Sequence, residues 1–500
     1  MSIPMSTAAH STALDVTIER PLPSYAMPSC RPIERIPPET LSNIFTAFMP
    51  DNPPKAHDCN SPVVLACVCR RWRDIALSTP QLWTSFHLML VHSTIHHDKR
   101  TAKTWPSRSG ALPLTIKLGF DQAPWFYKLA PEASDVLAIL FPHAHRWRKL
   151  ICRLDCELLA QFHHVRGHLS SLEHLDFEAT YDSGTVTNMI DAFDQASCLA
   201  HLTLNQCSDL EEYNMPLTPR WQDLKRLDVR FDSSEELMAT LYQCRSLEHL
   251  QVRVPDWDVT VDRPPLILPR LHTFQLKIGT SGYAFDLMDD FAFPSLRNVS
   301  LYVAVLDRRY NRDEEESCAA KFISLLNRSQ CPIQTFSLGC DHTGQISEND
   351  LLNYLHALPA IHELRLVECV AFSLGEQALS RLTESTGDKH SLVPELRVLE
   401  IPWLRGSFLD EPFAAMVESR WKSSAGHRTS SRSLRAVRIK IDAPDDLFEP
   451  EFDINTIPAT MRVLSRCSKE GMDVSVTETY KGGKTNNWFW FWNLAQELDI

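Results

Sequence analysis

One short apolar pattern recurs along most of the chain. Its form is apolar-x-x-apolar-x-apolar, and it runs from Trp83/Phe86/Leu88 to Leu434/Val437/Ile439. Between Trp147 and Leu296, the first apolar residues of successive copies lie 25, 27, 25, 23, 24 and 25 residues apart. Alternating apolar positions are typical of a strand with one buried face. The near-constant spacing therefore predicts a repeated unit that contributes one strand per copy.

Segments with helical periodicity lie between these strands. Ser347 and Asp350 are spaced as a capping box at the start of one such segment. The apolar positions of the segments are Val186/Met189/Ile190/Phe193, Leu237/Leu241, Phe322/Leu325/Leu326, Leu351/Leu352/Leu355 and Met461/Val463/Leu464. A strand and a helix in each copy predict an α/β fold in which each copy packs against the next.

Two amphipathic segments precede the repeats. After Pro37-Pro38, apolar residues fall at i, i+3, i+4 and i+7 from Leu41 to Phe48, which predicts a helix whose first turn holds the prolines. Ser61-Pro62 predicts the start of a second helix, and Thr79-Pro80 predicts its end. One face of that second helix would carry Leu65, Val68, Cys69, Trp72 and Ile75. Two helices of this length bury little by themselves, so they need a partner surface.

The two segments resemble an F-box of the form common in mushroom-type fungi. Three pieces carry the resemblance, in this order: Ile36-Pro37-Pro38-Glu39-x-Leu41-x-x-Ile44-Phe45, Leu65-x-x-Val68-Cys69-Arg70-x-Trp72-Arg73-x-Ile75-Ala76, and Thr79-Pro80-x-Leu82-Trp83. The chain departs from the pattern by an insertion, Met49 to Asn60, and by Ile36 where leucine is usual. The resemblance implies docking on a Skp1-like adaptor of a cullin–RING ubiquitin ligase. The Skp1-binding residues that it implies are Pro37, Leu41, Ile44, Phe45, Leu65, Val68, Cys69 and Trp72.

The repeats resemble the leucine-rich repeats of F-box proteins, since Leu202-x-Leu204-x-x-Cys207 reaches even the cysteine of that pattern. The expected fold is a leucine-rich-repeat solenoid, a curved parallel sheet with helices on its convex side, after a small all-α module. Polar residues that alternate with the apolar ones would face the concave side, acidic on the early strands and basic on the later ones. We expect a target protein to bind there, at Asp176, Glu178, Asp228, Arg230, Arg253, Lys277, Tyr302, Arg365, Glu400 and Arg438.

These patterns divide the chain into four parts. Residues 1–30 are rich in Ser, Thr, Pro and Ala and predict a disordered lead-in. The F-box-like module covers 31–83, the solenoid covers 84–480, and an aromatic tail covers 481–500. The tail holds Trp488-Phe489-Trp490-Phe491-Trp492, which we expect either to seal the last repeat or to bind a partner.

Composition narrows the classes of function. A net charge of −13 argues against a nucleic-acid binder. The 14 cysteines are scattered without a CxxC pair, which is typical of a reduced compartment and indicates the cytoplasm or the nucleus. The chain has no apolar run long enough to span a membrane and no secretory signal at its start.

Candidate catalytic chemistry is sparse. Histidines cluster at His92/His96/His97, His143/His145 and His163/His164/His168, and two pairs have the i, i+4 spacing of metal ligands on a helix. No HExxH, GxGxxG, GxxxxGK[ST] or GxSxG motif accompanies them. We therefore expect no catalytic residue, no metal and no cofactor.

The sequence favours a non-catalytic substrate-recognition subunit of an SCF-type (Skp1–cullin–F-box) ubiquitin ligase. The module would dock on the adaptor, and the repeats would hold an unidentified target protein. Two alternatives stay open. One is a scaffolding repeat protein whose helices only cap the solenoid, and the other is an enzyme that uses the histidine clusters.

Overall fold

The computed structural model describes residues 35–120, 129–180, 191–205, 220–230, 234–254, 265–278, 287–303, 318–340, 346–368, 374–384, 392–403, 409–425, 434–442, 459–479 and 485–487. The lead-in, the aromatic run Trp488–Trp492 and the helix pattern at residues 186–190 lie outside these ranges. In the described ranges, the fold is mixed α/β, with three short helices at the N-terminal end followed by one long sheet.

The N-terminal helices are α1 (Pro38–Phe48), α2 (Pro62–Val68) and α3 (Arg70–Leu77), followed by a 3-10 turn over Pro80–Trp83. Helix α1 begins at the predicted prolines, and α3 ends just before Thr79-Pro80. The prediction of one continuous second helix was wrong. Cys69 is extended (φ −157°, ψ 172°) and separates α2 from α3, and its Sγ accepts a hydrogen bond from the Trp72 backbone N–H at 3.4 Å. Because of this break, the residues of α2 and α3 do not follow one continuous helical periodicity. The single apolar face predicted from Leu65 to Ile75 therefore does not form.

A 15-stranded sheet dominates the described residues that follow the N-terminal helices. Its strands are β1 (Ser85–Leu88), β2 (Leu114–Gly119), β3 (Trp147–Asp155), β4 (His174–Thr180), β5 (His201–Asn205), β6 (Arg226–Arg230), β7 (His249–Val254), β9 (Thr273–Ile278), β11 (Asn298–Val303), β12 (Thr335–Cys340), β13 (Glu363–Glu368), β14 (Val398–Trp403), β15 (Ala436–Asp442), β16 (Asp473–Thr479) and β17 (Thr485–Asn487). Strands β8 (Leu266–Ile267) and β10 (Phe291–Ala292) form a small separate parallel pair. Each copy of the sequence pattern coincides with a strand of the large sheet.

The strands follow one another across the large sheet in chain order, and every pair is parallel except β16 with β17. Each parallel connection must therefore cross over, and crossovers are almost always right-handed. Successive right-handed crossovers in one direction lie on the same side of a sheet. The helices on this side include α4 (Ile95–Arg108), α5 (Ala133–Leu140), α6 (Cys156–Ala160), α7 (Ser234–Leu241), α8 (Cys318–Ser329), α9 (Glu348–Ala357), α10 (Glu376–Leu382), α11 (Asp410–Ala425) and α12 (Ala459–Lys469). The opposite side of the sheet, which we call the polar face, carries the alternate residues of each strand.

The core is continuous along the chain. Leu41 and Phe45 of α1 belong to the same buried cluster as Trp83, the sheet leucines and Val476 of β16. The first apolar residue of nearly every copy is buried. Ala111 is the exception, since it is exposed, and Leu112 beside it is half-buried.

Helix α9 shows how local sequence sets an element. The backbone N–H of Asp350 donates to Ser347 Oγ at 3.0 Å, and the backbone N–H of Ser347 lies 3.3 Å from Asp350 Oδ2. This reciprocal pair is the predicted capping box. Leu351, Leu352 and Leu355 then lie buried on one face of the helix.

The first strand of the sheet has a covered edge. Strand β1 pairs with β2 on one side, and on the other side the backbone N–H of His87 donates to the Pro54 carbonyl at 2.9 Å. Pro53 and Pro54 are buried and belong to the insertion between α1 and α2. An open strand edge invites pairing with other chains. The insertion thus protects the edge of the sheet.

Candidate functional site

Exposed apolar side chains are concentrated on the N-terminal helices. The large apolar side chains that stay exposed there are Ile44 (49%), Phe48 (47%), Val64 (38%), Val68 (57%) and Leu77 (40%). Elsewhere in the described ranges, only Tyr242 and Ile267 belong to this class. A cluster of exposed apolar residues in a short segment marks a surface for protein contact. We call these five side chains the apolar surface.

The residues predicted to bind Skp1 comprise an exposed group, a buried group and the half-buried Trp72. Pro37, Ile44, Val68 and Cys69 are exposed. Leu41, Phe45 and Leu65 are at most 6% exposed and form the core of the module, so their side chains support the outer residues from within. Trp72 is half-buried, and its ring centroid lies 4.8 Å from that of Phe45.

Sequence reasoning missed three members of the apolar surface. Phe48 lies four residues after Ile44 on α1, and Val64 lies four residues before Val68 on α2, so both share a helix face with a predicted residue. That spacing was the available signal. Leu77, the last residue of α3, had no such signal, because the helix break at Cys69 sets its direction.

Hydrogen bonds hold the three helices against the start of the sheet. Ser42 Oγ and Thr79 Oγ1 lie 3.0 Å apart, and Arg73 Nε donates to the Ala66 carbonyl at 2.9 Å. Trp83 is fully buried, and its indole N–H donates to the Ala76 carbonyl at 2.9 Å. Its ring also lies edge-on to Trp105 of α4, with centroids 5.3 Å apart. Trp83 therefore connects the module with the first repeat.

The polar face of the sheet carries all of the residues predicted to bind a target. Strand register places them in two rows across the strands. One row holds Asp176, Asp228, Arg365, Glu400 and Arg438, and the other holds Glu178, Arg230, Arg253, Lys277 and Tyr302. Nine strand spacings of ~4.8 Å separate β4 from β15, so the set extends over roughly 43 Å. These residues line a surface and do not form one compact site.

Ion pairs within and between strands neutralise much of this surface. Arg153 lies 2.9 Å from Glu178 and 3.6 Å from Asp176, and Arg253 lies 3.3 Å from Asp228. Further along, Glu363 pairs with Arg365 at 2.8 Å and with Arg438 at 3.7 Å, while Lys440 pairs with the buried Glu400. Lys277 Nζ lies 4.5 Å above the Tyr302 ring. The expected acidic character of the early strands is thus largely cancelled by arginines on their neighbours.

A third row of the polar face is basic, and it lies nearest the N-terminal ends of the strands. The register on β3 to β7 aligns Lys149, His174, His201, Arg226 and His249, which we call the basic row. The His174 and His201 rings meet edge-on at 4.1 Å. Burial lowers the pKa of all three histidines. The charge of Lys149 lowers the pKa of His174 further, and that of Arg226 does the same for His249.

A depression of about 420 Å³ opens on the polar face at β5 to β9. Arg226 and His249 line it on the side of the basic row, and Thr203, Asp228, Gln251 and Gln275 line the remainder. Burial raises the pKa of Asp228, and Arg253 opposes this shift. The walls therefore present one cationic donor, several side chains that can both donate and accept, and one carboxylate that pairs with Arg253.

Neither of the two histidine pairs with i, i+4 spacing lies within a single helix. His92 precedes α4, which holds His96, while His164 belongs to a short 3-10 turn that ends before His168. Across the described ranges, the structure holds no group of three or more His, Cys, Asp or Glu side chains arranged for a metal ion. In the same ranges, none of the helices has the length and apolar character needed to cross a membrane.

Comparison with known proteins adds one finding. Curated proteins contain no match to this chain. The model of the family described as F-box-like matches residues 33–89, a range that includes α1 to α3, the insertion, the 3-10 turn and β1. F-box domains generally bind Skp1-like adaptors. The chain therefore carries an F-box-like domain at its N-terminal end.

Proposed function

We propose that this chain is a substrate-recognition subunit of an SCF-type ubiquitin ligase. The F-box-like domain docks on a Skp1-like adaptor, and through it on a cullin–RING ligase. The polar face of the sheet binds the target protein. The ubiquitin chemistry belongs to other subunits, so this chain has no catalytic role of its own and works in the cytoplasm, the nucleus or both.

The observation that supports adaptor docking is the apolar surface. Ile44, Phe48, Val64 and Val68 remain exposed although the module shares a continuous core with the sheet. If the helices only capped the repeats, as a scaffolding protein requires, their apolar residues would face the sheet. An outward apolar surface of this kind needs a protein partner.

The repeat assignment is part of the same proposal. We infer that the sheet is a leucine-rich-repeat solenoid with the polar face on its concave side. Strict chain order, parallel pairing and one buried apolar ladder support this inference. Positioning a target at a fixed distance from the adaptor is the contribution that such an array makes to a ligase.

The test is co-purification with a Skp1-like adaptor. The Ile44→Asp/Val68→Asp variant places two charges on the apolar surface, and we expect it to lose the adaptor because each buried charge would lack a partner. Both residues are about half exposed, so the fold itself should tolerate the change. Phe45 is unsuitable for this purpose, since it is buried beside Trp72 and a charge there would unfold the module.

Ile267→Asp is the matched control, because Ile267 is 61% exposed but lies on β8, outside the module. It should retain the adaptor at the wild-type level. Circular dichroism and thermal unfolding would show that all variants are folded. Wild-type recovery of the adaptor by the double variant would contradict docking through the apolar surface, and failure of the wild-type chain to recover any adaptor would favour the scaffolding alternative.

A further inference from the structure

The basic row is the longest run of like-charged or chargeable side chains at one register position of the described sheet. Each of the five consecutive strands β3 to β7 contributes a Lys, His or Arg to it. Lys149 and the three histidines are half-buried, and Arg226 is exposed. Among the described residues, neither Lys149 nor Arg226 has a carboxylate within ion-pair distance. Lys149 and Arg226 are therefore two permanent cations that can bind a negatively charged ligand.

The spacing of the row fits an extended peptide. Lys149 and Arg226 are three strands apart, or about 14 Å at the usual strand separation. In an extended chain, alternate side chains share a face and four residues span about 13.6 Å. Acidic residues at i and i+4 would therefore face Lys149 and Arg226. An acidic residue at i+2 would lie midway, over the His174–His201 pair.

The depression beside Arg226 provides a place for one acidic side chain. Arg226 and His249 line one side of it, while the Thr203 hydroxyl and the Gln251 amide offer further donors. A carboxylate accepts several such hydrogen bonds at once, and charged acceptors make the stronger ones.

The carboxylates nearest the basic row are paired with cations outside it. Glu173 lies 2.9 Å from Arg148, which balances its charge. Asp176 and Asp228 lie one row away and pair with Arg153 and Arg253, although the charge of Lys149 also acts on Asp176. Glu248, just before β7, raises the pKa of His249, whereas Arg226 and His272 lower it.

We propose that the basic row binds an extended acidic segment of the target protein, with carboxylates at alternate positions. The inference rests on the proposed function, because it assigns a chemical class to the target that the polar face holds. Carboxylates are favoured over a phosphate group because the two permanent cations are separated by three strands and are not clustered.

The test is fluorescence anisotropy with the purified full-length chain and labelled nine-residue peptides. One peptide carries Glu-x-Glu-x-Glu, a second carries three contiguous Glu residues at the same net charge, and a third carries Gln in place of every Glu. We expect the first peptide to bind more tightly than the second, and the third to bind weakly or not at all. Added salt should weaken binding of the first peptide, because the contacts are between opposite charges.

The variant for this test is Lys149→Gln/Arg226→Gln. Loss of two partly exposed ion pairs should weaken binding of the first peptide by about five- to tenfold. Arg100→Gln, on the exposed side of α4, removes a charge far from the polar face and should leave binding unchanged. Neither change alters the apolar surface, so both variants should still co-purify with the adaptor. This second measurement distinguishes loss of the acidic-segment site from loss of adaptor docking.

Binding should also strengthen as the pH falls from about 6.5 towards 5, below the ordinary histidine pKa. The folded-state pKa of each histidine lies below its ordinary value of 6.5, so these side chains are mostly neutral at pH 7 and become cationic at lower pH. Glutamate side chains remain ionised over most of that range. Equal affinity for the first two peptides, unchanged affinity in the double variant, binding that weakens with falling pH, or binding of a phosphoserine peptide alone would each overturn the proposal.

Discussion

Buried arginines join neighbouring repeats. Arg420 of α11 is 1% exposed, and its guanidinium donates to the carbonyls of Leu382, Leu392 and Val393 at 2.5, 2.7 and 3.1 Å. Arg146 makes the same kind of contact with Pro106 and Leu112 of the preceding unit. One arginine thereby satisfies carbonyls that would otherwise lie buried without a donor.

Val393 shows why this contact matters for the backbone. Its φ is 45°, in the left-handed region that β-branched residues rarely adopt. The Arg420 bond to its carbonyl stabilises that conformation. Burial lowers the pKa of Arg420 to about 10, so the side chain remains charged near neutral pH and its donors stay available.

We expect Arg420→Met to destabilise the chain strongly. Methionine fills similar space but leaves three buried carbonyls without their donor, at a cost of about 3 kcal/mol or more. The measurement is the urea concentration at which the C-terminal repeats unfold. Arg466→Met is the control, because it removes only a half-exposed ion pair with Glu418, which contributes about 1 kcal/mol or less. Equal midpoints for the two variants would contradict the role assigned to Arg420.

For individual residues, the sequence predicted which positions are apolar, but it gave no indication of buried charged side chains. The pattern from Leu41 to Phe48 identified helix α1 but not which of its apolar residues face inward. Leu41 and Phe45 are buried, whereas Ile44 and Phe48 are exposed. Helical periodicity identifies the apolar side of a helix. Which residues on that side remain exposed to solvent depends on how the helix packs against neighbouring elements. Arg420 gave no signal, because its partners are carbonyls of another unit.

Whole elements were better predicted than side-chain directions. Each copy of the apolar pattern became a strand, because burial of one strand face against the crossover helices requires alternating apolar residues. Capping chemistry placed the start of α9 correctly, since Ser347 and Asp350 interact within one turn. The break between α2 and α3 was missed, because the same apolar spacing continues through Cys69.

The break makes Cys69 the N-cap of α3, which gives a prediction for this element. Cys69→Asp should stabilise α3 by about 1 kcal/mol, because a carboxylate is a better N-cap acceptor than a thiol and interacts favourably with the helix dipole. Hydrogen–deuterium exchange of the amides of residues 70–77 measures the effect as slower exchange.

Cys67→Asp is the matched control for this substitution. Cys67 is also exposed but lies in the last turn of α2, where a carboxylate interacts unfavourably with the helix dipole. It should leave exchange in α3 unchanged or make it faster. Slower exchange in both variants would mean that added negative charge, and not the cap, stabilises this region.

At the scale of the whole molecule, the F-box-like domain and the sheet share one core. The family match ends at residue 89, after β1 has begun the sheet at Ser85, so the two parts overlap in sequence. Trp83 lies at this junction, with Ala76 on one side and Trp105 on the other. A shared buried residue at the boundary indicates a fixed orientation of the module on the array, which no flexible linker would give.

This junction leads to a prediction about the coupling of the two parts. Trp83→Ala removes a fully buried indole and its hydrogen bond, at a cost of about 3–5 kcal/mol for the cavity. Trp83 contacts α3 directly, through the Ala76 carbonyl, and it packs on the same Trp105 ring as Phe86 of β1. We therefore expect faster hydrogen exchange in α3 and β1 together. Phe162→Ala is the control, since Phe162 is equally buried but packs against Trp147 and Phe193. That variant should accelerate exchange around β3 and β4 and leave α3 unchanged. Faster exchange in β1 alone in Trp83→Ala would show that the module holds its structure independently, and the proposed fixed distance between adaptor and target would then lose its physical basis.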